Sequence, residues 1–594
     1  MAISELPIFS YFNRQRFTQY GSGDCANWYG IAQPDTKKGQ ALYPAMGRKH
    51  INFFGQNRLV FEEEPSQIFK TIDFMYVIVG TRVIQVDKFY NEKVIGNIPL
   101  GKQTWFSFLA VGTKVFAVLT AETVMYCITE DGNTVTFQEI TDNNAPQNPL
   151  FVATFGNSFV VSDKNTPNFY VSVFNFVDPN TGLFDPATCF TVLGGPLFER
   201  ATGIIRQMGV LHNQLYIFCD FVTNIWANIP TQIVVNNQAR EFPFKQNSSY
   251  NWDYGIQDPF SLSIEFGRLC FLAKNSAGLV SFLTSNGQQP TDISSQAINV
   301  LLENSTSLDE NALSPFITGK VEGFLYQFEN TIFYRTSAGQ YLDYGELDVD
   351  TSAYALEYNF ATQTWGRVIE LNGERNRINK HIFFNNNHLV TVSGDGAIYE
   401  MSGNLYRNEL RTADTTAQAE DAFTKLPMRY ELTTQQIYQP DYSEFITDYV
   451  EIDFVFGDRT FYKNNVPFDN SIFIITEDGA PNGDPIYVIA EDQPGGENVF
   501  LIMEQGNTPG FNDNHYYALF KPHIELYYSD DGGVTLLSAD VREFSPLGEY
   551  RWRMRWYELG ISRNRCYRLV CISSAPIVIL GAVQETRRAS GGAN

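Results

Sequence analysis

One short unit recurs along this chain: an apolar residue, a two- or three-residue turn rich in Gly, Asn or His, then a strand of alternating apolar residues. It reads "VGTRVIQVD" (79–87), "VGTKVFAVL" (111–119), "FGNSFVVSD" (155–163), "LHNQLYIFC" (211–219), "FGRLCFLAK" (266–274), "FENTIFYRT" (328–336) and "FNNNHLVTV" (384–392). Period-2 alternation after a tight turn is the signature of a β-hairpin. The starts lie roughly 51 residues apart, and a β-propeller blade of four short strands takes ~40–50 residues. The repeat therefore predicts an all-β fold, with a seven-bladed β-propeller over residues 40–405. An open ring would leave a sheet edge unpaired. The segment "INFFGQNRLVFEE" (51–63) is available to close it as a strand shared with the last blade.

Other stretches fit that reading. "ETVMYCITEDGNTVTFQEI" (122–140) and "YALEYNFATQTWGRVIEL" (354–371) read as hairpins. With 48 Phe and 32 Tyr, aromatics make up 15% of the 594 residues, enough to fill several cores with side chains that favour pleated sheets. The formal net charge of −24 argues against a protein whose main work is gripping nucleic acid. It suits a soluble surface that polyanions do not stick to. The cysteines stand at 25, 127, 189, 219, 270, 566 and 571, an odd set with no C-x-x-C. Cys127, Cys219 and Cys270 lie in apolar runs, so buried free thiols and folding in a reducing compartment are expected. No signal peptide is expected at "MAISELPIFSYFNRQRF", and no run is long and apolar enough for a membrane-spanning segment.

Residues 1–39 read as an entry segment ahead of the propeller. Beyond it, 406–427 ("RNELRTADTTAQAEDAFTKLP" from 407) is polar and poor in aromatics, and reads as a linker. Residues 428–594 read as a second, β-sandwich-like domain, with strands such as "YVEIDFVFG" (449–457) and "HIELYYSDDGG" (523–533). Within it, 463–515 is rich in Asn, Asp, Gly and Pro but carries the apolar runs "SIFIITE" and "PIYVIAE". A stretch this long is expected to be an inserted, projecting loop with a role of its own.

Chemistry is sparse. Ser529, Asp531, Gly532, Gly533 and Thr535 approach the S-x-D-x-G-x-T-W "Asp box" of sialidases, with Leu536 in place of the Trp. Such a box is a structural hairpin turn, in which Asp and Gly shape the bend and the hydroxyls satisfy backbone groups. A retaining sialidase would also need an Arg cluster and a Tyr–Glu nucleophile pair, and neither constellation is legible. The six histidines show no ligand spacing; His212 and His388 lie at or beside the repeat turns. "EDGAPNGD" (477–484) and "DVDTSAY" (348–354) carry carboxylates without the D-x-D-x-D-G order of a calcium loop. Neither catalytic residues, nor a metal, nor a cofactor is expected. The feature that stands out is "RWRMRWYE" (551–558). There Trp552, Met554 and Trp556 alternate with Arg551, Arg553 and Arg555, and the three arginines are the candidate subunit interface, Arg being enriched at such surfaces.

Three stretches together resemble the packaged-DNA stabilisation proteins of short-tailed (podovirus-type) bacteriophages, the tail hub or tail nozzle family. They are "NWYGIAQPDTKKGQALYPAMGRKHINF" (27–53), "YGIQDPFSLSIEFGRLCFLAKNSAGLVSFLTSNGQQPTDISSQAI" (254–298) and the closing block 523–583. Ala45-Met46 depart from the family's L-x-x-x-P-G entry, and 463–515 is an addition to shorter members. The resemblance implies a non-enzymatic virion protein of the tail, assembled in the host cytoplasm as a homohexamer. Its implied partners are portal and adaptor ring proteins above, and a tail needle, tail fibre or tailspike beside it. Double-stranded DNA would pass through transiently, retained after packaging and conducted at ejection. The alternative of another class is a β-propeller glycan-binding protein or glycosidase of a phage tail.

Overall fold

The computed structural model describes residues 2–8, 11–13, 23–32, 40–53, 56–177, 183–192, 195–235, 238–303, 320–338, 354–411, 423–439, 441–456, 486–488, 499–501, 523–531, 533–544 and 551–589. Seven antiparallel sheets follow one another at 67–97, 105–139, 149–200, 205–246, 254–292, 321–367 and 378–402. They are blades one to seven of a propeller. The first strand of each blade is innermost, in blade five as two pieces, Tyr254–Ile256 and Ser263–Glu265, both on Arg268–Asn275, and contacts between these inner strands run round the whole ring. Phe69 stacks on Phe106 at 5.1 Å, and the Ser107 and Thr154 hydroxyls lie 2.7 Å apart. Phe151 and Met208 share one core, and Gly209 lies so close to Ile264 that a Cβ there would collide with it. Leu325 N donates to Ser263 Oγ at 2.9 Å, His381 stacks on Phe324 at 5.1 Å, and Lys70 Nζ donates to the Phe383 carbonyl at 2.7 Å.

The recurrent turn has a backbone cause. Two-residue hairpins that match the twist of their strands need positive φ at both central residues. The pairs Gly156–Asn157, His212–Asn213, Phe266–Gly267, Glu329–Asn330 and Asn385–Asn386 all have it, with φ between 46° and 69°. Six of the seven units sit between the first and second strands of their blades. The unit at 79–87 instead joins the second and third strands of blade one, whose first hairpin turns at 71–74. Behind each turn the second strand is buried on both faces, as in Gln214–Cys219 and Arg268–Asn275, and so reads as a near-continuous apolar run. All seven cysteines are buried free thiols.

The ring is closed in blade seven by Gly47–Phe53, which pairs antiparallel with Ile398–Ser402. The closing strand begins before the stretch 51–63 that the sequence suggested, while Leu59 and Phe61 add further backbone bonds to Ile398 and Gly396. The rest of the N-terminus joins the second domain, a two-sheet sandwich. One sheet runs in the order Trp28–Ala32, Gln40–Pro44, Ile577–Arg588, Phe445–Phe456, Arg551–Ser562, with Ala2–Glu5 also on Ile577–Arg588. The other contains Asp24–Ala26, Phe423–Thr433, Asn564–Ser573, His523–Ser529 and Leu537–Glu543. Trp28, Tyr430, Ile452, Phe454, Leu526, Trp556 and Ile579 fill the space between them. The propeller is thus inserted into the sandwich, and Gln40–Pro44 belongs to the sandwich side of the junction.

Residues 407–411, at the start of the stretch read as a linker, form a strand. Arg407–Arg411 pairs with Phe423–Thr433 on one side and, in parallel at Asn408, with Gly47–Phe53 on the other. Asp24–Ala26 likewise pairs in parallel with Thr364–Arg367, the outer strand of blade six. One hydrogen-bonded sheet therefore passes from blade six through the sandwich to blade seven. Of the insertion at 463–515, the described residues give one antiparallel strand pair, Ile486–Val488 with Val499–Leu501. The remainder lies outside the described residues, as do Gly532, "EDGAPNGD" and all of "DVDTSAY" but Tyr354.

Candidate subunit interface

Strand Arg551–Ser562 is the last in its sheet, and its alternation is as the residues dictate. Met554 and Trp556 are buried and Trp552 is half-buried, while Arg551, Arg553 and Arg555 are exposed. The counter-charges come from the neighbouring strand of the same chain. Glu451 stands opposite Arg555 and Asp453 opposite Arg553. Arg551 makes a two-pronged contact with Asp453, Nη2 to Oδ2 at 2.6 Å and Nε to Oδ1 at 3.1 Å. Arg555 pairs with Glu451 and lies 5.0 Å over the Tyr449 ring. Arg553 lies between both carboxylates at 3.8 Å from each. Three cations thus share two anions, and Arg553 holds neither closely. The signal was present in "YVEIDFVFG", where Glu451 and Asp453 share a face; recognising it required knowing that these two strands pair.

The Asp-box segment ends the hairpin His523–Ser529/Leu537–Glu543. Asp531 accepts from Ser529 Oγ at 2.6 Å, from the amides of Val534 and Thr535 at 3.1 and 2.9 Å, and from the Thr535 hydroxyl at 2.5 Å. Gly533 donates to Ser529 Oγ at 2.8 Å, with φ of 94°. These donors pull the Asp531 carboxyl down to about 2. With its acceptor sites filled by its own turn, Asp531 is poorly placed to ligate a metal or a sugar. Beside it Arg565, fully buried, bonds Asp530 at 2.7 and 3.0 Å.

The histidine spacing hides one close pair. His381 Nε2 lies 2.9 Å from His388 Nδ1. Burial, then the neighbouring His388, Lys70 and Arg335, hold His381 well below the usual imidazole range. Burial alone lowers His388. Among the described residues, no group of three or more His, Cys, Asp or Glu is placed to hold a metal ion, and no helix is long and apolar enough to cross a membrane. Non-adjacent blades touch across the ring: Trp105 of blade two stacks on Phe260 of blade five at 4.7 Å, and Lys320 Nζ lies 4.1 Å over the Phe260 ring.

No known family model matches the chain, and no curated protein matches it. Among solved structures it is similar to Hsv2 from Kluyveromyces lactis, at 9% identity over 58% of this chain and 97% of that one, with a TM-score of 0.25. It is also similar to a puromycin-hydrolysing peptidase of Mycobacterium tuberculosis, at 6% identity, 66% and 61% coverage and a TM-score of 0.30. The third is BBS1N, solved in complex with ARL6DN, at 9% identity, 56% and 94% coverage and a TM-score of 0.26. The chain is an all-β protein built around a β-propeller, as its own seven sheets establish.

Proposed function

We propose that the chain is a structural virion protein, the tail hub or nozzle of a short-tailed phage, whose copies form a ring-shaped conduit that retains packaged DNA and passes it at ejection. The observation that carries this reading is the junction of the two domains. A continuous sheet joins blade six, the sandwich and blade seven, and Arg367 bridges Asp24 at 2.6 Å and Glu431 at 3.2 Å across it. Strand pairing and these ion pairs tie propeller to sandwich, which suits a subunit that transmits force in an assembly. In this reading the conduit lies between subunits and not through any one propeller, a placement supported by the stack of Trp105 on Phe260 across the ring. A surface of net charge −24 lets a polyanion slide past.

In this reading Arg551, Arg553 and Arg555 face a neighbouring subunit. Portal or adaptor proteins above, and a needle, fibre or tailspike beside, complete the set of partners. Mass photometry and negative-stain imaging of the purified chain test the proposal. Rings near six times 67.4 kDa are expected. A stable monomer that binds or cleaves host surface glycans would overturn it in favour of the lectin or glycosidase reading.

A further inference from the structure

The hairpins between first and second strands gather on one face of the propeller. Left-handed turn positions there are mostly Gly or Asn, as the backbone requires. His212, Glu329 and Phe266 break that pattern, and of the three Phe266 is the apolar one. Phe266 holds φ of 53°, where a side chain crowds the following carbonyl, and the residue is 43% exposed. On the same face Ile72, in the first hairpin of blade one, is 61% exposed, and Phe383, near the end of the inner strand of blade seven, is 39% exposed. A bulky apolar residue kept in a strained, solvent-facing turn gives the free chain nothing, and such strain concentrates where function needs it.

Charge defines what the face would take. Glu265 and Lys70 end the inner strands of blades five and one. Lys70 is already committed to the Phe383 carbonyl and lies over that ring. The Glu265 carboxylate has no hydrogen bond or ion pair among the described residues, and burial raises it above its ordinary range while the more distant Lys70 lowers it. A partly desolvated carboxylate without a donor favours an incoming cation.

We propose that this turn face docks a polypeptide segment presenting a lysine or arginine flanked by apolar side chains. The cation reaches Glu265, and the apolar neighbours cover Phe266, Ile72 and Phe383. Trp105 and Phe260 stack on one another across the ring at the opposite ends of the inner strands, so the segment is expected to lie on the face and not to thread it. The inference rests on the propeller alone and stands apart from the tail reading.

Two fluorescein-labelled peptides test it by anisotropy against the full chain, one of alternating leucine and lysine and one of alternating leucine and glutamate. The variants are Glu265→Gln and Phe266→Gly, the second chosen because Gly relieves the strained turn and keeps the fold. The lysine peptide is expected to bind the native chain and to bind each variant about tenfold more weakly; the glutamate peptide is expected not to bind. Equal affinity for native chain and variants would mean diffuse attraction to an acidic surface and would overturn the proposal. Failure of the lysine peptide to bind, or equal binding of the glutamate peptide, would overturn it too.

Discussion

Arg48 and Glu370 form a two-pronged ion pair, Nη1 to Oε1 at 2.7 Å and Nη2 to Oε2 at 3.2 Å, with the guanidinium fully buried. Arg48 lies on the strand that closes the ring, and Glu370 lies just beyond the outer strand of blade six. The remaining acceptor capacity of Glu370 is filled by the Arg377 amide at 3.0 Å and by Asn408 at 3.3 Å. Removing one member leaves the other charge buried and unpaired, which destabilises by ~3–5 kcal/mol. Arg48→Met or Glu370→Leu alone is expected to lower the denaturant midpoint steeply, whereas the double variant recovers most of the loss. A double variant no better than either single one would mean the pair matters only for packing.

The histidine pair gives a signed pH dependence. Both imidazoles are depressed in the folded chain from an ordinary value of 6.5, so below that value the unfolded chain binds more protons and stability falls with falling pH. Carboxylates held low by cations, such as Glu431 with Arg568, Arg367 and Arg429, add their own loss only lower, below their ordinary 4.5. Those raised by burial, such as Glu130, act in the opposite sense. Comparing native chain with His388→Asn between pH 7 and pH 5 isolates the pair. The variant is expected to show a flatter fall in unfolding free energy; parallel curves would remove the pair from the account.

Much of the propeller was legible because its turn constraint is local. Gly, Asn or His at a left-handed pair, followed by an apolar run, writes each hairpin into a few consecutive residues. The strand that closes the ring was legible only approximately, since Gly47–Phe53 has no turn of its own and its partner lies at 398–402. The sandwich was harder still. Leu42 meets Ile579, and Ala26 meets Glu431 and Arg367, pairings that no local pattern announces. Alternation alone sets Arg551, Arg553 and Arg555 apart from Trp552, Met554 and Trp556, but the carboxylates beside the arginines come from a strand about a hundred residues away in the same chain.

The thiols offer a direct check on packing. All seven are buried, and burial pushes the Cys127 thiol up to about 12, so neither access nor thiolate is available to a reagent. Ellman's reagent is expected to leave the native chain unlabelled at neutral pH and to modify all seven cysteines after denaturation. Rapid native labelling at Cys25, Cys566 or Cys571 would locate an opening in the sandwich.

The Asp-box turn should behave as a local clamp. Asp531→Ala removes the acceptor for the Val534 and Thr535 amides while leaving Arg565–Asp530 in place. Hydrogen exchange is expected to speed at Val534 and Thr535 with little change along His523–Ser529. Any loss of glycan binding with this variant would instead return sugar chemistry to the site.

Arg551 and Arg555 each hold a carboxylate of Phe445–Phe456 closely, whereas Arg553 is 3.8 Å from both Glu451 and Asp453. Its side chain is 55% exposed, so within one chain the ion pair is weak and screened. Against a neighbouring subunit the balance changes, because a desolvated charge pair loses ~2–5 kcal/mol when one side is truncated. Arg553→Ala is therefore expected to shift the melting temperature by less than about 2 °C and, if the chain assembles into the proposed ring, to shift the mass distribution from rings toward single chains. Arg551→Ala and Arg555→Ala should disturb assembly less, since their carboxylate partners lie in the same chain. If Arg553→Ala assembles normally, or lowers the melting temperature as much as it lowers assembly, the stripe serves the sandwich itself and the interface must be sought on another face.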